Sequence, residues 1–213
     1  MSTIRTDFIH AATTTATLLT HQRLTQRWEE PSLLDQFTIK ALAGHTAYQI
    51  LSVQSALDTD APPGAKVVTL DEHYAQADWL NTGIDSPGNT AIRDGGDRLA
   101  TGGVAALVSD VTAAIDSLQD TLFELPADHV IHIAKWGYGI SLDDYLATRI
   151  MEMAVHLDDL ATSLEINEVE LNTSAARTAI ALLANLSIAR HGSLNLIRAL
   201  ARSERARGDI TAL

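Results

Sequence analysis

Inside the stretch ISLDDYLATRIMEMAVHLDDLATSL, residues 140–164, Glu152 and His156 stand four positions apart among aliphatic neighbours. The apolar residues recur at helical spacing, and on an α-helix positions i and i+4 lie one turn apart on the same face. A carboxylate and an imidazole therefore point together into whatever that face meets. Such a pair is either half of a metal site or a buried ion pair, and each needs other helices to enclose it.

The rest of the chain supplies those helices. Residues 6–28 carry Phe8, Ala12, Leu18, Leu19 and Leu24 on one stripe, weakened by Thr13, Thr14, Thr15, Thr17 and Thr20 and ended by Pro31. A second pattern starts with Asp35 as N-cap and continues through Val53, with His45 at its centre directly after Gly44. Residues 58–68 read as a loop, and Thr69 with Glu72 as a capping box for a short helix through Leu80 that contains His73, Tyr74 and Trp79. After a breaker at 83–89, residues 90–122 form a long helical pattern. Gly95, Gly96, Gly102 and Gly103 predict a kink, a break or a close helix contact within it.

Residues 124–139 read as a crossover loop with at most a short extended piece. Ser141 and Asp144 form a capping box for the helix of 140–164. Thr173 or Ser174 caps a helix to about Arg190, Gly192 interrupts, and 193–205 form a last basic amphipathic helix. Four long helical patterns with long connections predict an all-α fold, a four-helix bundle over 1–166 with a short helical extension over 167–213 packed on it.

Charge and composition limit what the bundle does. The chain has 27 acidic against 15 basic residues and a net charge of −12, which repels nucleic-acid backbones and anionic membranes. It contains no cysteine, which excludes thiolate ligands and a cysteine nucleophile, so any thiol chemistry takes its thiol from outside. The first residues lack a signal-like apolar core, and the longest later aliphatic run is broken by Arg177 and Asn185. The expectation is a soluble, cytoplasmic monomer or homodimer.

His45, in the middle of the second long helix, stands at a depth similar to that of Glu152 and His156 in the fourth. Two imidazoles and one carboxylate give Zn²⁺ three protein ligands and an open fourth position, the arrangement of a catalytic zinc site. The other reading is an ion pair between Glu152 and His156, with His45 filling space. Spacing alone leaves both open, because E-x-x-x-H is a short motif.

The segments LDDYLATRIMEMAVHLDDLA and FTIKALAGHTAYQI, with IRDGGDRLATGG between them and HGSLNLIRALARSERA after, together resemble the mycothiol-dependent maleylpyruvate isomerase N-terminal family, within the DinB-like metalloenzyme superfamily. The resemblance implies an up-and-down four-helix bundle that holds a divalent metal, usually zinc, through His45, Glu152 and His156. It further implies water or the thiolate of mycothiol, the low-molecular-weight thiol of actinobacteria, at the open metal position. Isomerases of that family carry a larger C-terminal domain, so the resemblance leaves maleylpyruvate isomerisation itself open here.

Neighbouring residues receive narrower roles. Arg149, three residues before Glu152, is expected to orient it or to bind an anionic substrate group, and otherwise is a solvated arginine at the bundle's edge. Asp159 is placed to accept the second ring N–H of His156, while Asp158 is expected in solvent. Arg198 and Arg202, at i,i+4, read as an exposed basic face rather than an anion clamp. The functional expectation is a divalent-metal-dependent, mycothiol-dependent transferase or isomerase in which the metal activates a thiol or water nucleophile toward an unidentified small electrophile. The alternatives are a non-catalytic metal- or small-ligand-binding bundle and a purely structural one.

Overall fold

The structure is a computed structural model that describes residues 3–59, 62, 64–76, 83, 85–167 and 169–213. Helix α1 (Thr3–Leu19) buries Phe8, Ala11, Ala12, Thr15, Leu18 and Leu19 along one face. The threonines that weaken it turn their hydroxyls back onto its own carbonyls, Thr13 on Ile9, Thr14 on His10, Thr15 on Ala11 and Thr17 on Thr13. The expected single helix over 6–28 is in fact two. It stops after Leu19, and the His21 ring accepts the Arg23 N–H at 3.2 Å to cap the short helix α2 (Gln22–Gln26).

Helix α3 (Ile39–Leu57) begins later than expected. Its N-cap is Thr38, whose hydroxyl accepts the Ala41 N–H at 3.1 Å, and not Asp35. The chain cannot be helical from Asp35 because Gln36 adopts a left-handed φ of 65°. Strand β1 (Val67–Val68) leads into α4 (Leu70–Ala75), where the Thr69–Glu72 capping box forms reciprocally. The expected continuation to Leu80, with Trp79, lies outside the described residues.

The long pattern over 90–122 is also broken, into α5 (Pro87–Leu99, capped by Ser86) and α6 (Gly103–Glu124), which meet at 95°. Gly103, at φ 82°, makes the corner. Gly96 serves the other anticipated purpose, close contact. A Cβ on it would collide with the Ala41 carbonyl, and one on Gly44 with the Gly96 carbonyl, so α5 lies directly on the α3 backbone beside His45. Gly96→Ala is expected to lower stability by roughly 1–3 kcal/mol, the cost of overpacking, and to appear as a lower melting temperature in calorimetry. An unchanged melting temperature would contradict the close contact.

The expected crossover loop contains a hairpin instead. Strands β2 (Val130–Ile133) and β3 (Tyr138–Ser141) pair antiparallel, with Ile131 opposite Ile140, around a turn in which Gly137 takes φ 70°. Val130, Ile131 and Ile133 are β-branched, which suits a pleated surface better than a helix. Strand β1 adds in parallel to the other edge of β3. Directly after β3, the Ser141 hydroxyl accepts the Asp144 N–H at 3.1 Å and starts α7 (Leu142–Ser163). Helix α8 (Thr173–His191) is capped one residue before the expected position, by Asn172 on the Ala175 N–H at 2.8 Å. Gly192 at φ 82° separates it from α9 (Ser193–Ala201), and a 3₁₀ turn Ser203–Arg205 follows.

The fold is an all-α helical bundle carrying this small sheet. Helices α1 and α3 each pack between α6 and α7, and α8 covers α1 and α7. Phe8, Leu42, Ile50, Leu118 and Ile150 are among the buried residues of one continuous core. No single helix among the described residues is long and apolar enough to cross a membrane.

Candidate metal centre

The contact between α3 and α7 brings the polar residues of both helices together. His45 enters from the first and Glu152 and His156 from the second, and one ligand atom from each lies within 4.8 Å of the others. The Nε2 atoms of His45 and His156 are 3.1 Å apart, and the His156 Nε2 is 3.3 Å from Glu152 Oε2. Two imidazole nitrogens on one tetrahedral zinc ion, each at roughly 2.0–2.1 Å, stand roughly 3.3 Å apart. The donor set and its spacing therefore fit a divalent ion.

Without an ion, one proton has to keep the two rings from facing each other with lone pairs. His45 is held down to about 3 by burial and by the charge of His156, with Glu152 opposing. Burial also acts on His156, but hydrogen bonds to Asp159 and Glu152 outweigh it and raise the ring to about 9. Glu152 stays ionised, at about 2, because His156, Arg149 and His45 outweigh its own burial. The proton thus sits on His156, whose Nε2–H faces His45 and Glu152 and whose Nδ1–H donates to Asp159 Oδ2 at 3.0 Å. Removing the Nε2 proton leaves two ring lone pairs and a carboxylate converging on one point.

Asp159 stands where the sequence puts it, as the acceptor that fixes the His156 ring, and Asp158 is exposed. Arg149 is not a solvated edge residue. Its Nη1 donates to Gln49 Oε1 at 2.7 Å, its Nε to Thr148 Oγ1 at 2.9 Å, and the guanidinium lies 5.2 Å from the centre of the Tyr145 ring. It makes no hydrogen bond to Glu152 among the described residues, and acts on it through charge. Arg202 is exposed beside Glu204, and neither it nor Arg198 lines the cluster's cavity.

Gln49 was not anticipated from the sequence. One turn after His45, it donates to the His45 carbonyl at 3.0 Å while accepting from Arg149, and so ties α3 to α7 beside the cluster. The i+4 spacing from His45 was the available signal. The cluster opens into a cavity of about 350 Å³ whose remaining walls include Tyr48, His73, Tyr74, Lys135, Trp136 and Tyr145. His73 is held there by the Tyr138 hydroxyl, 3.1 Å from its Nδ1. Helix α4 and the hairpin thus bring an aromatic wall to a site whose charged groups come from the bundle.

A family model described as the mycothiol maleylpyruvate isomerase N-terminal domain matches residues 9–161, more than half of the chain. No curated protein and no solved structure matches significantly.

Proposed function

The chain belongs to the mycothiol maleylpyruvate isomerase N-terminal domain family, and from that premise we propose that it is a divalent-metal-dependent transferase or isomerase that uses mycothiol as its thiol cosubstrate. The convergence of His45, Glu152 and His156 at the mouth of a cavity carries this reading. Two imidazoles and a carboxylate suit zinc best and leave a ligand position free. When bound there, such an ion supplies Lewis acidity, which lowers the pKa of a thiol or water and provides an anionic nucleophile at neutral pH.

The chain's own residues prepare that chemistry. Asp159 orients His156 and makes its ring more basic, as carboxylate partners of ligating histidines do. Gln49 fixes the turn of α3 that carries His45. The aromatic walls exclude water from the space in which a thiolate meets an electrophile. A protein with no cysteine cannot supply that thiol itself.

The test is thiol consumption. Zinc-loaded protein is expected to accelerate the reaction of mycothiol with monobromobimane, to lose this activity in a chelator and to regain it with zinc. Activity indifferent to chelation would contradict the proposal. One-equivalent metal binding with no thiol consumption would leave a binding protein.

Proton linkage gives a second expectation. Because His156 is raised to about 9, metal uptake at neutral pH must displace its proton. Zinc affinity should therefore rise by about tenfold per pH unit through the neutral range and level off above the pKa of that ring. Calorimetry in buffers of different ionisation enthalpy reads the proton directly, and zinc uptake that releases none would contradict the assignment of His156.

A further inference from the structure

His73, on α4, is only 4% exposed and forms part of the wall of the cluster's cavity. Near-perpendicular ring contacts hold it in place, with centres 5.1 Å from that of Tyr74 and 5.0 Å from that of Trp136. Its Nδ1 is taken by the Tyr138 hydroxyl at 3.1 Å. The side-chain atoms sealed from solvent without a partner among the described residues are Ser52 Oγ, the Tyr74 hydroxyl and His132 Nδ1. Nε2 of His73 is not one of them and makes no hydrogen bond among the described residues, so it reaches the open space of the cavity.

The contact with Tyr138 decides which ring nitrogen carries the proton. Burial pushes the Tyr138 phenol up to about 12, so it keeps its own proton. Tyr138 is 4% exposed and His73 is the one partner of its hydroxyl among the described residues, so a hydroxyl that accepted from Nδ1 would bury that proton unmet. The hydroxyl therefore donates to Nδ1, and a neutral imidazole whose Nδ1 accepts carries its proton on Nε2. The ring is neutral, since burial and then Arg149 hold it down to about 4, with Glu152 opposing. A fixed, uncharged N–H thus meets the cavity that His45, Glu152 and His156 also line.

We infer that His73 is an electrophilic catalytic residue, its Nε2–H holding the oxygen on which negative charge develops when a nucleophile adds to a carbonyl-activated electrophile in this cavity. In addition to an alkene beside a carbonyl, the thiolate sulfur bonds to the β-carbon and the π pair moves onto the carbonyl oxygen as an enolate. Nε2–H donates to that oxygen and keeps its proton, and a solvent proton on the α-carbon completes the thioether. A donor already held in place stabilises the new charge without reorganising, and a neutral imidazole serves as well as a cation would. The catalytic role rests on the proposed function. The oxyanion site itself does not.

The site is read first on metal-free protein, by heteronuclear NMR of the histidine rings, with His73 assigned by its absence from His73→Phe. The expected spectrum has a proton on Nε2 and none on Nδ1. Para-nitrophenolate, an anion with its charge on one phenolic oxygen, should move that proton's signal, and uncharged nitrobenzene should not. Tyr138→Phe should leave both tautomers populated. A proton on Nδ1 in the parent chain, or a signal indifferent to the phenolate, overturns the inference. On zinc-loaded protein with mycothiol, His73→Phe should lower kcat for methyl vinyl ketone about 10²–10³-fold with little change in KM. Monobromobimane, whose charge departs as bromide, should react within about twofold of the parent rate. Equal losses on both electrophiles, no loss on either, or a parent chain that turns over the bimane but not the ketone overturns the inference as well. A chain inert to both electrophiles whose Nε2–H still answers the phenolate contradicts the proposed function alone.

Discussion

Replacing Arg5 by Ala is expected to destabilise the protein by about 3–5 kcal/mol, because it strips three carbonyls at the end of α6 of a charged donor, each such bond contributing roughly 1.5–3 kcal/mol. Arg5 is only 4% exposed although it is charged and lies in the first turn of α1. Its guanidinium donates to the carbonyls of Leu122 at 2.6 Å, Leu125 at 2.7 Å and Pro126 at 2.9 Å, and to Asp143 Oδ1 at 3.0 Å. The last carbonyls of a helix have no partner within it, and at the end of α6 this arginine supplies one from across the bundle. The same side chain anchors the first turn of α7 through Asp143. At roughly 2–4 °C per kcal/mol for a chain of this size, a fall of about 6–20 °C is expected in thermal denaturation. Arg5→Lys should recover only part of it, because one ammonium cannot reproduce the planar fork. A shift below about 1 kcal/mol would show the network to be dispensable.

His45→Ala is expected to act in the opposite way, sparing the metal-free protein and abolishing its response to metal. The half-buried, neutral His45 ring shares the Nε2–H of His156 with Glu152, and the His156 cation is held mainly by Glu152 and Asp159. Removing His45 costs His156 only that shared contact and leaves it its bonds to Glu152 and Asp159. The metal-free variant should therefore stay within about 1 kcal/mol of the parent chain. With zinc at a thousand times its dissociation constant the parent gains about 4.1 kcal/mol, and the variant should gain essentially none. Melting curves of chelated and zinc-loaded forms check both halves. A purely structural cluster predicts the reverse, a destabilised metal-free variant and no zinc effect in either protein.

What the sequence reveals and what it hides follow from where the determining contacts lie. Glu152 and His156 share one capped helix, so their common face is a matter of local geometry, and Asp159 follows at i+3 on that face. His45 is legible as the polar interruption in the middle of another amphipathic helix. The breaks are harder to see because apolar periodicity continues through them. Leu24 is as buried as Leu19 although α1 ends between them, and the corner between α5 and α6 leaves Leu107 and Val111 in helical register. The cap at Thr38 depends on the left-handed turn at Gln36, a residue type with no marked preference for it. The hairpin was obscured because Val130, Ile131 and Ile133 alternate poorly and each of its strands is only four residues long.

The central claim is that His45, Glu152 and His156 together hold one divalent ion. Its most direct test is the metal content, by mass spectrometry, of protein loaded with zinc and then dialysed, for the parent chain and for the Ala variant at each of the three positions. The account predicts about one equivalent in the parent and almost none in each variant. A parent chain that dialyses free of metal, or a variant that keeps a full equivalent, would contradict it.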